Sequence, residues 1–154
     1  MVSSSPSAEL VAAYVLRKRK GATQLLLLKR PPDCPYAPLT WQIVYGHRED
    51  DEGSEATILR EIIEETGITP KALYSTDEVF SIPRQHTDGN MRVPVYVAFV
   101  DNRDIVVLND EHVAFKWIDV ENAGEDLYWP VQKKTMKNIL REFCEKEPSQ
   151  KNII

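Results

Sequence analysis

The stretch REIIEETG most directly indicates chemistry, because it places three glutamates within five residues and then ends at a glycine. At helical spacing Glu61, Glu64 and Glu65 lie within about one turn of each other, where like charges repel. Such a cluster, with Glu52 just before it, suits a hard divalent cation such as Mg²⁺, which takes oxygen ligands and shares its coordination with substrate phosphates. The alternative is a solvated acidic helix face neutralised by lysines and arginines. Arg60 is the one basic residue within this helix, which weighs against that alternative.

A helix is predicted to carry these glutamates. Apolar residues recur at helical spacing and are expected to pack against a sheet: Ala56, Ile58, Leu59, Ile62 and Ile63. Ser54 is a suitable N-cap residue, and Gly67 is a suitable residue to end the helix. Pro70 then prevents its continuation.

The rest of the chain predicts a layered structure around one sheet. Residues 8–31 read as two strands joined at a turn containing Gly21, and the proline-rich segment 31–40 reads as an irregular loop. WQIVYGHRE reads as one strand ending near Gly46. After the helix come three more strands, EVFSIPRQ, MRVPVYVAFV and EHVAFKWIDV, and a final helix from about Pro130 to about Glu145. This order predicts an α/β fold with a mixed sheet.

The 154 residues suit one domain, predicted at 8–146, with a flexible N-terminal tail at 1–7 and a loose C-terminal tail at 147–154. The net charge of −5 gives no reason to expect a nucleic acid polymer as partner. No apolar run approaches the roughly 20 residues that span a membrane, and no signal peptide is visible. Cys34 and Cys144 lie far apart and predict reduced thiols in a cytoplasmic protein. A monomer and a homodimer are both compatible with these features.

The spacing around the glutamates is that of a known family. From Gly46 the chain reads GHREDDEGSEATILREIIEETGI, which resembles the Nudix box over residues 46–68. This resemblance implies the Nudix fold, an α/β/α sandwich with a mixed β-sheet and a loop-helix-loop segment. It also implies a hydrolase that cleaves a nucleoside diphosphate linked to another group.

The resemblance also implies a role for each matching position. Glutamates 61, 64 and 65 would bind Mg²⁺ or Mn²⁺, and the backbone carbonyl of Gly46 would join them as a ligand. Glu52 would support the metal site and take part in proton transfer. Arg60 would orient the glutamates by ion pairing, and the glycines at 46 and 67 would permit the backbone turns at the two ends.

Nudix enzymes often use a further carboxylate outside the box as general base or extra metal ligand. Glu111, in LNDEHVAFKW, is the predicted residue for this role. The alternative reading makes it an ordinary turn residue before a strand.

The substrate is predicted less directly. TWQIVYGHRE, EHVAFKWIDV and the WPVQ segment look like the bacterial dATP and dihydroneopterin triphosphate pyrophosphohydrolases, which favours cleavage of a (deoxy)nucleoside triphosphate to monophosphate and pyrophosphate. Pro83, near the position of a proline in ADP-ribose pyrophosphatases, keeps a second class open: diadenosine polyphosphates or ADP-ribose-type diphosphates. A third reading is a catalytically silent Nudix module that senses a nucleotide.

Six residues outside the box are predicted to contact the substrate. Lys29 and Arg30 end a strand and could reach phosphates, or could form a solvated strand end. The rings of Trp41 and Tyr45 could stack on a base, or could simply pack. Arg84 and His86 fall in a predicted loop, where binding residues collect, although an exposed loop charge is the alternative.

Overall fold

The computed structural model describes residues 8–84 and 88–154. Its seven strands are β1 (Leu10–Arg19), β2 (Ala22–Lys29), β3 (Trp41–Gln42), β4 (Val44–His47), β5 (Ala72–Pro83), β6 (Asn90–Phe99) and β7 (Ala114–Asp119). The sheet runs in the order β3-β2-β1-β6-β5, with β4 also paired to β1 and β7 to β2. The pairing of β1 with β6 is parallel and the other pairings are antiparallel, which confirms the predicted mixed sheet.

The sheet is covered on both faces, because its central strands alternate two sets of apolar side chains. Leu10, Ala12, Tyr14 and Leu16 of β1 belong to one core cluster, whereas the residues between them belong to the other. β2 divides its four consecutive leucines in the same way. Strands buried on both faces need such continuous apolar runs.

One helix layer covers each face. α1 (Ser54–Thr66) packs Ile58 and Ile62 into the second cluster, and α3 (Pro130–Ile139) packs Met136 and Ile139 into the first. A short helix, α2 (Ala123–Asp126), precedes α3, and a π-helical turn follows it over Leu140–Cys144. The predicted α/β/α sandwich is therefore confirmed. Within the described ranges, no helix is both long enough and apolar enough to cross a bilayer.

α1 departs from its prediction in its start and in its buried face. Gly53, not Ser54, occupies the N-cap position, so Ser54 is the first helical residue. Leu59 and Ile63 were expected to pack against the sheet, but they are 38% and 40% exposed. The buried face of α1 instead contains two glutamates, Glu61 and Glu65. Gly67 ends the helix at a φ of 72°, as predicted.

Two other local predictions also change. The single strand expected over WQIVYGHRE divides at Ile43, because β3 pairs with β2 whereas β4 pairs with β1. The predicted loose tail at 147–154 is held at its last residues: Ile153 bridges Tyr74, and the Ile154 N–H donates to the Leu73 carbonyl at 2.9 Å. The exposed edge of β5 supplies the partners for these contacts.

Candidate active site

The glutamates of α1 lie where the helix approaches β4. Glu61 is 8% exposed and Glu65 is 1% exposed. Gly46 on β4 allows this approach, since a Cβ built at that position would lie 2.1 Å from Glu61 Cγ. The predicted reason for this glycine, a backbone turn, is wrong: Gly46 lies within a strand, and what it provides is space for the Glu61 side chain.

Arg60 holds the box together. Its Nε donates to Glu52 Oε2 at 2.7 Å, its Nη1 to Glu61 Oε1 at 2.6 Å, and its Nη2 to the His47 carbonyl at 2.9 Å. A longer contact of 3.2 Å joins Nη1 to Glu64 Oε2. A planar guanidinium with donors in fixed directions can fix several acceptors at once, which a lysine cannot do.

Both oxygens of Glu52 are already used within this network. Oε1 accepts from the Glu49 N–H, the Thr57 hydroxyl and Arg60 Nη2, while Oε2 accepts from Arg60 Nε. The hydrogen bond from Arg60 is the main reason that the pKa of Glu52 falls to about 2. A carboxylate so strongly stabilised in its charged form is a weak proton acceptor.

A loop after β6 brings a third carboxylate to the buried pair. Oxygens of Glu61, Glu65 and Glu111 all lie within 4.8 Å of one another. Glu111 is exposed and accepts a hydrogen bond from Asn109 Nδ2 at 3.1 Å. Next to it, His112 Nδ1 lies 3.6 Å from Glu65 Oε1, beyond hydrogen-bond distance.

The chemistry of this cluster fits a divalent cation. Among the described residues, Glu65 Oε2 and His112 Nδ1 are buried without a hydrogen-bond partner. Burial, reinforced by the Glu61 and Glu111 carboxylates, raises the pKa of Glu65 to about 10. A cation would satisfy the unpartnered oxygen and would favour the ionised carboxylate, since ligands bind metals in the deprotonated form. Burial, with a smaller effect of Arg30, lowers the pKa of His112 to about 4, so that its ring is neutral at pH 7.

The predicted metal ligands therefore divide into two groups. Glu61, Glu65 and Glu111 come together, whereas the Glu64 side chain is 47% exposed and contacts Arg60. A ligand role for Glu64 and for the Gly46 carbonyl stays a prediction.

The predicted substrate contacts at the end of β2 lie beside this cluster. The Val113 N–H donates to the Lys29 carbonyl at 3.0 Å, which places the loop bearing Glu111 against the end of β2. The Arg30 guanidinium lies 6.0 Å from the ring centres of Tyr36 and Tyr45.

The two aromatic residues predicted to stack on a base are already engaged. Trp41 has the ammonium groups of Lys116 and Lys29 at 4.3 and 5.7 Å from its ring centre. The Tyr45 hydroxyl accepts from Gln132 Nε2 at 2.8 Å, and burial raises the pKa of Tyr45 to about 12. Their stacking role stays a prediction. In the structure the Trp41 ring lies close to two lysine ammonium groups, and the Tyr45 hydroxyl is hydrogen-bonded to Gln132 of α3.

Arg84 lies on another part of the molecule. It forms an ion pair with Glu9 at 2.7 Å and lines a cleft of about 640 Å³ over β5 and β6. Its predicted substrate contact remains untested, and His86 lies outside the described residues.

Sequence reasoning assigned no site role to three groups near the cluster. His112 lies next to Glu65, and the fully buried Gln132 links α3 to β3 and β4 through Gln42 and Tyr45. Tyr36 and Trp129 form a stacked pair with ring centres 5.8 Å apart. The sequence feature that could have predicted this stacked pair is the aromatic residue within the proline-rich loop 31–40.

The buried carboxylates, their arginine and the covered mixed sheet form a site whose chemistry fits a divalent cation. The NUDIX domain family model matches residues 8–139, which is most of the chain. The chain therefore belongs to the Nudix family and is a hydrolase of pyrophosphate bonds.

Three similar proteins carry more specific names. The bis(5'-nucleosyl)-tetraphosphatase (asymmetrical) of Caenorhabditis elegans is 29% identical over 110 residues, covering 71% of this chain and 77% of that protein. A crystal structure of a C. elegans Ap4A hydrolase binary complex aligns with a TM-score of 0.76 and 22% identity, over 90% of this chain and 99% of the other. The E. coli dihydroneopterin triphosphate pyrophosphohydrolase aligns with a TM-score of 0.72 and 17% identity, over 88% and 98%. At these identities the two structures show the fold alone.

Proposed function

We propose that this Nudix hydrolase cleaves dinucleoside polyphosphates, with the asymmetric cleavage of a dinucleoside tetraphosphate as its leading reaction. The Glu61–Glu65–Glu111 cluster, whose Glu111 loop is hydrogen-bonded to the end of β2, supports hydrolysis of a pyrophosphate bond but does not choose the substrate. The sequence similarity to the C. elegans tetraphosphatase supports this substrate class.

The triphosphate substrate expected from the sequence is the second candidate. The WQ and EH…W segments favour it, but the likeness to the dihydroneopterin enzyme is one of fold at 17% identity. Both reactions require the same carboxylates, so the choice between them depends on what binds beyond the scissile bond.

Glu61, Glu65 and Glu111 would hold Mg²⁺ or Mn²⁺. Such an ion supplies charge withdrawal at phosphate oxygens and activation of water. Arg60 fixes Glu61 and Glu52 before substrate arrives, so that little reorganisation is required during the reaction. Arg30, which follows β2, is proposed to neutralise and orient the phosphates with its guanidinium.

The proton of the attacking water is proposed to go to Glu111. Glu52, given a part in proton transfer by the family resemblance, accepts four hydrogen bonds and has a pKa near 2. Glu111 is exposed and accepts a single described hydrogen bond, so it would take this proton in the alternative in which Glu61 and Glu65 hold the ion without it. Turnover by Glu111→Gln at a rate near that of the wild type would exclude this role.

The decisive experiment is a substrate panel with Mg²⁺ or Mn²⁺, with products separated by chromatography. It contains diadenosine tetraphosphate, the dNTPs and NTPs, dihydroneopterin triphosphate and ADP-ribose, with Glu61→Gln as the control variant. ATP and AMP from the dinucleotide would support the proposal, whereas pyrophosphate and a monophosphate from a triphosphate would favour the second candidate. Tight nucleotide binding without metal-dependent turnover on any substrate would favour a sensing module.

A further inference from the structure

α1 carries apolar residues on the face that points away from the sheet as well as on the face that packs against it. Ile58 and Ile62 are buried in the second core cluster, whereas Leu59 and Ile63 are both more than a third exposed. Ala56 is exposed too and continues the same row, because positions 56, 59 and 63 recur at helical spacing. A surface helix normally presents charged and polar residues to water, so this outer face has the character of one that another surface covers.

The loop after β6 extends this row beyond the end of the helix. The Val107 N–H donates to the Thr66 carbonyl at 2.8 Å, and a Cβ built at Gly67 would lie 3.2 Å from Val107 Cβ. Val107 is 64% exposed and Ile105 is 78% exposed, whereas Val106 between them is buried, so the two exposed side chains point to the same outer side. We refer to the combined row as the outer stripe, which consists of Ala56, Leu59, Ile63, Val107 and Ile105.

The outer stripe is large enough to form the apolar centre of a protein interface. Exposed apolar residues scattered singly need no explanation, but these belong to one continuous row. Its four large side chains expose on the order of 400 Å², which is about half of the roughly 800 Å² that each partner buries in a stable interface. The remaining half is what a polar rim around such a centre supplies.

The order of residue sizes along α1 is complementary to itself when a second α1 runs antiparallel. A two-fold axis midway between Leu59 and Ile63 places each Leu59 opposite the partner's Ile63. Ala56 then faces the end of the partner's helix at Gly67, where the small residues leave room for the Val107 side chain. A surface that matches itself across a two-fold axis is the surface of an isologous dimer.

The charges at the two ends of α1 favour the same arrangement. Asp50 and Asp51 precede the helix and are exposed, and Glu55 lies in its first turn. Lys71, which is also exposed, follows the other end. Antiparallel helices bring the acidic start of one copy beside the lysine of the other, whereas parallel helices would bring the two acidic starts together. Charge complementarity of this kind selects the partner and its orientation.

We propose that the chain forms a two-fold dimer in solution, in which two outer stripes pack against each other with their α1 helices antiparallel. Glu61 and Glu65 lie on the opposite, buried face of α1, so the dimer leaves the carboxylate cluster unoccupied. The inference is independent of the substrate, because no residue of the outer stripe belongs to the cluster.

The first test measures the mass of the protein by sedimentation equilibrium across a micromolar dilution series. The wild type should have twice the mass of one chain. Leu59→Lys should raise the dissociation constant of the dimer about a hundredfold, because a symmetric interface contains the substitution twice. Val107→Lys tests the same interface from the loop and should act in the same direction. Val79→Lys is the matched control, since Val79 is similarly exposed but lies on β5, outside the outer stripe.

Three results would overturn the proposal. They are a monomeric wild type, a dimer as tight in Leu59→Lys and Val107→Lys as in the wild type, and equal weakening by Val79→Lys. Circular dichroism checks that the variants are folded. Lysine at position 59 lies four residues after Glu55, a pairing that supports a helix, so Leu59→Lys should keep the wild-type spectrum.

The second test concerns the orientation of the two helices. Lys71→Glu should raise the dissociation constant about fivefold at low salt, because it places like charges at both ends of the antiparallel pair. About 1 M NaCl should remove this difference by screening. An unchanged or lower dissociation constant in Lys71→Glu would contradict the antiparallel arrangement.

Discussion

Gly46→Ala is a small substitution that should disable the site through one contact. The new Cβ would lie 2.1 Å from Glu61 Cγ and 2.8 Å from Glu61 Cβ. Ordinary carbon contacts begin at about 3.5 Å, so Glu61 Cγ would have to retreat by about 1.4 Å. A change of rotamer cannot relieve the contact with Cβ, because that atom is fixed by the backbone of α1.

The expected consequence is a displaced α1 and a misplaced carboxylate. A misplacement of about 1 Å typically costs about a hundredfold in rate, so kcat/KM should fall by about that factor. Overpacking should lower the free energy of unfolding by about 2 kcal/mol, which corresponds to a fall in Tm of about 6 °C for a chain of this size.

Gly124→Ala is the matched control. A Cβ at Gly124, within α2, would meet no atom within 4 Å, so this variant should retain activity and keep or slightly raise its Tm. Activity is measured under saturating Mg²⁺ and Tm by circular dichroism. A Gly46→Ala protein within about threefold of wild-type kcat/KM, with an unchanged Tm, would refute the close-approach argument.

Three further outcomes are expected. The pKa of Glu52 in the folded protein is about 2 against an ordinary 4.5, so its contribution to stability is complete above about pH 4.5 and is lost as the pH falls toward 2. In Glu52→Gln the urea midpoint of unfolding should therefore change less with pH across that window. The same pH dependence in the variant and the wild type would contradict the role of the Arg60 contact. Mg²⁺ should raise the Tm of the wild type but not of Glu65→Gln, because only the folded carboxylate cluster binds the ion, and equal shifts in a thermal assay would remove Glu65 from the ligands. Gln132→Leu should lower the free energy of unfolding by about 1–3 kcal/mol, since it leaves the buried Oε1 of Gln42 without a donor; denaturation at the wild-type midpoint would show that the hydrogen bonds of Gln132 add nothing.

The parts of the fold that the sequence predicts depend on local signals. The turn at Gly21, the left-handed end of α1 at Gly67 and the proline start of α3 are each specified by residues within one turn. Helical spacing likewise placed Glu61, Glu64 and Glu65 within one turn, whereas the role of Arg60 came from the resemblance to the Nudix box.

The parts that the sequence does not predict depend on partners far along the chain. Apolar periodicity predicted that Leu59 and Ile63 would be buried, but both are exposed. Glu61 and Glu65 are buried instead, next to Glu111, which is distant in the sequence. Arg84 was predicted to contact the substrate, with an exposed loop charge as the alternative, and no local signal indicated its ion-pair partner Glu9, 75 positions away. The function of Gly46 also depends on which side chain the fold brings opposite to it.

The parallel pairing of β1 with β6 has a consequence for how the chain folds. β1 pairs with β6, which is synthesised only after α1 and β5. β2 pairs with β7, which is synthesised later still. Long-range pairings of this kind slow folding, because the chain must close large loops before it gains the contacts. During synthesis the β1–β2 hairpin therefore emerges before β6 and β7, with both of its apolar faces uncovered. We expect this hairpin to be the segment that chaperones protect until β6 has left the ribosome.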